Sequence, residues 1–107
     1  MSNTTPIKPA TTNQAQQRVL TILRVLAGRT TDGMTNAQLA RAVKTSESRM
    51  HGDIRNCEQS GFVERLTSGN WRLGSSFVQI ANAHVSELAA LRQAVVELEQ
   101  RCGVLPR

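Results

Sequence analysis

Val19, Ile22, Leu23 and Leu26 follow one another at steps of three, one and three, a single apolar stripe at helical period. From Asn13 onward the chain therefore predicts a first helix, closed by Gly28. Thr35 followed three residues later by Gln38 has the form of a capping box, and Met34 and Leu39 stand where a hydrophobic staple would hold it. A second helix is expected from about Asn36 to Val43, with Leu39, Ala40 and Val43 as a short apolar face. Ser46 is placed to cap a third helix, with Glu47 favourably in its first turn. Its buried stripe is Met50, Ile54 and Cys57, and Gly61 stops it where a left-handed residue is wanted.

After Gly61 the period becomes extended. Phe62 to Leu66 reads as a strand, Thr67 to Asn70 as a turn, and Trp71 to Leu73 as the returning strand. Two helices joined by a tight turn form a helix-turn-helix, and the hairpin after it is a wing. Beyond Ser75 and Ser76, either of which can cap, no helix breaker occurs until Gly103. Phe77, Ala81, His84, Leu88, Leu91, Val95, Leu98 and Cys102 alternate spacings of four and three, a heptad repeat. At ~1.5 Å per residue this helix reaches about 40 Å, more than so small a domain can cover. Residues 77 to 84 are expected to fold back on their own domain, while the distal half needs a partner. Leu88 and Val95 take a positions, Leu91 and Leu98 d positions, and Glu87 and Arg92 suit an interchain pair in a parallel dimer. The dimerisation residues are thus His84, Leu88, Leu91, Arg92, Val95, Leu98 and Cys102; a solvent-exposed place for His84, where the helix leaves the domain, remains the alternative.

The fold class expected is mainly α with a small β-hairpin. Residues 1 to 12, rich in Ser, Asn, Thr and Pro, form a disordered arm. Residues 13 to 75 form the winged helix-turn-helix, 76 to 102 the dimerisation helix and 103 to 107 a tail. Composition adds a charge argument. Of the formal net charge of +5, residues 13 to 75 carry +4, which suits either a folded surface meeting a polyanion or plain solubility. No apolar run approaches the ~20 residues a bilayer crossing requires, and the N-terminus has no secretory signal. Two widely spaced cysteines form neither a disulfide framework nor a zinc site, so a reducing cytoplasm is expected, with no metal or cofactor.

At this stage the chain resembles the N-terminal DNA-binding domain of IclR-type transcriptional regulators over roughly Arg18 to Phe77. Arg18, Val19, Leu20, Ile22, Leu23, Leu26 and Ala27 are similar to that family's R-A-L-x-I-L-x-x-L-A opening, and Leu39 to Ala42 to its L-A-R-A. Ser48, Met50, His51, Ile54, Cys57 and Glu58 stand along its S-T-V-H-R-L-L-x-x-L-E, Gly61 to Val63 match G-F-V, and Trp71 to Gly74 are close to Y-R-L-G. Gly52 departs from the family's Arg after His, and Asp53 replaces an apolar residue. The family's effector-binding domain is absent from the sequence, so no small-molecule effector is implied.

With the stripe removed, the third helix leaves Ser46, Glu47, Ser48, Arg49, His51, Gly52 and Arg55 to face a major groove. Arg49 and Arg55 are the candidates for guanine edges or phosphates, while Thr45, Ser46 and Ser48 suit phosphates or caps. Arg18 would hold the backbone, with Arg65 and Arg72 flanking the wing; Trp71 reads as a packing residue, since a stacking surface offers several aromatics. No Ser/His/Asp set and no glycine-rich phosphate loop occurs, so no enzyme is expected. The function expected is sequence-specific duplex-DNA binding by a homodimer that regulates transcription, most simply by occlusion. The rival is a winged-helix protein-interaction or assembly module with an oligomerising helix and no specific DNA target.

Overall fold

The computed structural model of the protein describes residues 12–103. The arm placed at 1 to 12 and the tail at 103 to 107 lie, save Thr12 and Gly103, outside the described residues. The elements run α1 (Gln14–Leu26), α2 (Asn36–Val43), α3 (Glu47–Gln59), β1 (Val63–Arg65), β2 (Trp71–Leu73) and α4 (Ser75–Arg101).

Local chemistry sets the helix starts. Asn13 accepts the Gln16 amide at 3.1 Å at the head of α1. The capping box of α2 is complete: Gln38 N donates to Thr35 Oγ1 at 3.1 Å, and Thr35 N donates to Gln38 Oε1 at 3.0 Å. Ser46 Oγ accepts the Arg49 amide at 3.0 Å at the start of α3. Asn36 Nδ2 donates to the Glu47 carbonyl at 3.0 Å, joining the first turns of α2 and α3. Between those helices Lys44 adopts the left-handed conformation, φ 65°. For a residue with a Cβ that geometry costs roughly 1–2 kcal/mol, and it is what lets α3 start three residues later in a new direction.

Three helices close on one core. Ile22 and Leu26 of α1, Leu39 and Ala40 of α2, and Met50, Ile54 and Cys57 of α3 are buried together with Val63 and Trp71 of the hairpin. The small Ala40 side chain permits the close approach of a neighbouring helix. The wing pairs antiparallel, with Val63 opposite Leu73, Glu64 opposite Arg72 and Arg65 opposite Trp71. The hairpin is extended by an isolated bridge: Met34 and Trp71 exchange both backbone hydrogen bonds, each at 2.8 Å. This stitch requires Gly33, whose φ is +70° and whose Cβ, if present, would lie 2.5 Å from the Trp71 carbonyl oxygen.

The structure corrects several boundaries. α1 ends at Leu26, two residues before Gly28, because the chain turns at once through the Arg29 N to Leu26 O bond at 2.9 Å. The first wing strand is three residues, narrower than Phe62 to Leu66. Neither Ser75 nor Ser76 caps α4: Gly74 occupies the cap without a side-chain bond. The Gly61 carbonyl takes the place of a serine hydroxyl, accepting the Ser76 amide at 3.1 Å.

The larger correction concerns residues 77 to 84. Only the base of α4 touches its own domain, where the Phe77 ring meets Phe62 edge to face with centroids 6.0 Å apart. From Val78 onward α4 is exposed at every described position except Glu99, including Ala81 and His84. The helix leaves the domain one turn after it begins, so it projects along a molecule whose longest extent is 62 Å.

Candidate nucleic-acid interface

The sides of α3 divide cleanly. Met50, Asp53, Ile54 and Cys57 are buried, and Ser48, Arg49, His51, Gly52 and Arg55 are exposed along the opposite face, with Ser46 and Glu47 exposed at its start. A Cβ at Gly52 would meet nothing within 4 Å, so packing does not demand glycine there. The residue thins the outward face of α3 and lets another molecule approach its backbone.

The predicted cations have different fates. Arg18 does not stand free to hold a phosphate backbone. Its Nε donates to Asp53 Oδ2 at 2.6 Å and its Nη2 to Asp53 Oδ1 at 3.4 Å, an ion pair with side chains only 17% and 11% exposed. That hydrogen bond, followed by the carboxylate's charge, holds the Arg18 guanidinium above its ordinary pKa against the opposing effect of burial. The pair ties α1 to α3 across 35 residues of sequence and explains how an aspartate occupies an apolar position. Asp53 is therefore not a surface charge weakening the reading face, but the partner of a fixed arginine.

Arg55 contacts Glu58 at 3.3 Å on an exposed surface, and Arg72 Nε donates to Glu64 Oε2 across the wing at 2.7 Å. Arg65 lies over the Trp71 ring, its guanidinium carbon 4.5 Å from the centroid. Trp71 itself is 2% exposed and serves packing. Among the described residues, Lys44, Arg49 and Arg65 form no ion pair. Gln17, Arg18, Val43, Lys44, Thr45 and Arg49 surround an open hollow of ≈ 350 Å³ between the N-terminal half of α1 and the helix-turn-helix turn. Lys44, a basic residue in the short connection between α2 and α3, joins the expected site residues here without having stood out in the sequence. The wing tip is fixed by Asn70 Nδ2 donating to the Asp32 carbonyl at 3.0 Å.

The cysteines differ in kind. Burial, with the nearby Asp53 charge second, pushes the Cys57 thiol above its ordinary pKa, whereas Cys102 is exposed near the end of α4. On α4 the apolar residues Leu88, Leu91, Val95 and Leu98 are 40%, 60%, 55% and 53% exposed. Arg92 lies beside them and shares an apolar hollow with Leu88, Leu91 and Val95.

No protein-family profile matches the chain, and no curated protein matches it. Among solved structures, an IclR homolog from Microbacterium sp. strain HM58-2 matches with a TM-score of 0.62 and 24% identity, over 83% of this chain and 38% of that one. ZitR from Lactococcus lactis matches at a TM-score of 0.40 and 18% identity, over 94% of this chain and 68% of that one. The chain thus spans less than half the length of the IclR homolog. Helix-turn-helix, hairpin wing and long C-terminal helix, in that order and superimposable on part of that homolog, make the fold of this protein a winged helix similar to that of the IclR type.

Proposed function

We propose that the protein is a transcriptional regulator that binds duplex DNA as a homodimer and represses by occluding its site. The division of α3 carries this reading: its apolar side completes the core, and its outer side presents Ser48, Arg49, His51, Gly52 and Arg55 to solvent. α3 enters the major groove, where Arg49 reads a base edge or grips a phosphate, with Arg55 reached by releasing an exposed, weakly held Glu58. Thr45 and Ser46 contact the backbone at the start of α3, beside Lys44. Arg65 and Arg72 lie along the flanking phosphates. Arg18 acts indirectly, holding the reading helix through Asp53.

Pairing of α4 between two copies, through Leu88, Leu91, Val95, Leu98 and the a-position Cys102, presents two reading helices to half-sites one helical turn, ~34 Å, apart. His84 takes a d position one heptad before Leu91, and Arg92 flanks the seam at e. The test is selection from a random duplex pool. It should enrich a two-fold related sequence, and Arg49→Ala should weaken that site by about 1–3 kcal/mol while affecting random duplex much less. A pool that shows no enrichment favours the rival reading, a protein-interaction module in which α4 recruits other chains.

A further inference from the structure

The base of α4 carries more apolar surface than a two-stranded seam needs. With Leu88 and Val95 at a, the proximal segment places Phe77 and His84 at d and Ala81 at a. It also places Val78 and Val85 at e and Ile80 at g, positions that in a two-stranded coil are commonly charged. Val78, Ile80 and Val85 are 45%, 58% and 62% exposed. In the distal half the equivalent e and g positions are Arg92, Glu99, Glu87 and Arg101, with only Ala94 apolar. The apolar face is therefore wide near the domain and narrow away from it.

The domain carries an apolar surface of its own next to Phe62, where α4 leaves it. A hollow of ≈ 290 Å³ between α1 and the end of α3 is lined by Val19, Leu20, Leu23, Cys57, Ser60 and Phe62. Leu20, on its rim, is 52% exposed although it stands among core-forming neighbours. Phe62 is a wall of the hollow and also the residue against which Phe77 packs. Because Phe77 occupies a seam position, the seam side of α4 at its base is the side turned toward Phe62 and the hollow. A second α4 laid along that seam is brought alongside Leu20 and Leu23. Its own e and g residues, Val78 and Ile80, are then the groups available to cover them.

We propose that the hollow between α1 and α3 receives the base of the partner copy's α4, so that the dimer interface is composite: a narrow helix pair distally and a helix-on-domain contact proximally. This rests on the homodimer reading and deepens it. The contact fixes each reading helix relative to the dimer axis, because the wall that receives the partner is built partly from α3 itself, at Cys57 and Ser60. A helix pair alone would leave the two domains free to swivel where α4 leaves the domain at Phe77.

Disulfide trapping tests it in the full chain carrying Cys102→Ser. A chain with Leu20→Cys is mixed with a chain carrying either Val78→Cys or Ile80→Cys and oxidised with copper phenanthroline. The docking predicts a mixed interchain disulfide with at least one of the two. Leu91→Cys, oxidised alone, reports the seam: its symmetric disulfide should form whatever occupies the hollow. In sedimentation Leu20→Asp, a change at an exposed rim residue, should raise the dimer Kd by about tenfold or more while leaving the fold intact. A symmetric Leu91→Cys disulfide, with no mixed product and an unchanged Kd for Leu20→Asp, would overturn the docking and leave the homodimer standing. A wild-type chain that sediments as a monomer overturns both.

Discussion

Leu91→Ala isolates the contribution of the seam from that of the domain. Leu91 is 60% exposed on a helix that has left its own core, so shortening it removes nothing that holds the monomer together. Leucine and alanine are both strong helix formers, so α4 itself persists. Full burial of a leucine side chain contributes ~1.5–3 kcal/mol. The fraction still open to water on Leu91 therefore represents about 1–2 kcal/mol per copy on pairing. A two-fold interface contains the residue twice, which gives about 2–4 kcal/mol, or a dimer Kd raised between about 30-fold and about 10³-fold. Sedimentation equilibrium over a concentration series measures it directly. Gln93→Ala, on the outer face where Gln93 donates to Glu97 at 3.2 Å, is the control and should leave Kd unchanged. Equal Kd values for Leu91→Ala and Gln93→Ala would refute the heptad assignment and with it the parallel seam.

Gly33→Ala, which drives a Cβ into the Trp71 carbonyl at a positive φ, should destabilise by more than about 1 kcal/mol and lower Tm by several degrees in thermal unfolding. A thiol reagent at neutral pH should modify Cys57, which the folded domain buries, only on unfolding. Because the folded-state pKa of Cys57 is raised, its protonated thiol supports the fold below the ordinary value of 9.0, and that support is lost as pH rises above it. Cys57→Ala should flatten the alkaline decline seen by circular dichroism. Asp53→Asn, which leaves Arg18 with a neutral partner, should weaken specific and random duplex binding together by loosening α3, whereas Arg49→Ala should weaken the specific site selectively.

What the sequence made legible was what neighbouring residues decide among themselves. The Thr35 to Gln38 capping box, the Ser46 cap and the left-handed Gly61 each depend on residues within one turn, and their geometry follows from identity and spacing. The Met34 to Trp71 bridge was not legible, because a single residue from each side carries no period. The Arg18 to Asp53 pair had a signal that went unread: Asp53 lies on the Met50, Ile54, Cys57 side of α3, and a carboxylate there calls for a cation from a facing helix. The heptads of α4 showed which positions are apolar but not which molecule covers them. Their proximal part, expected against its own domain, stands open because α4 leaves the domain after its first turn, once Phe77 has met Phe62. Likewise Arg55 and Arg72 looked free, since cross-strand and i, i+3 acids such as Glu64 and Glu58 become partners only once the elements form.

If the helix-turn-helix and wing meet the phosphates of duplex DNA, binding must weaken steeply with salt. Lys44 at the helix-turn-helix turn and Arg65 and Arg72 of the wing are the cations this reading lays on phosphates, so a dimer neutralises about six of them. Fluorescence anisotropy with a labelled duplex should give log K against log salt with a slope of about −5, and affinity should fall about 10³-fold between ~50 and ~200 mM salt. A slope near zero, or no duplex binding at the low end of that range, would contradict the account.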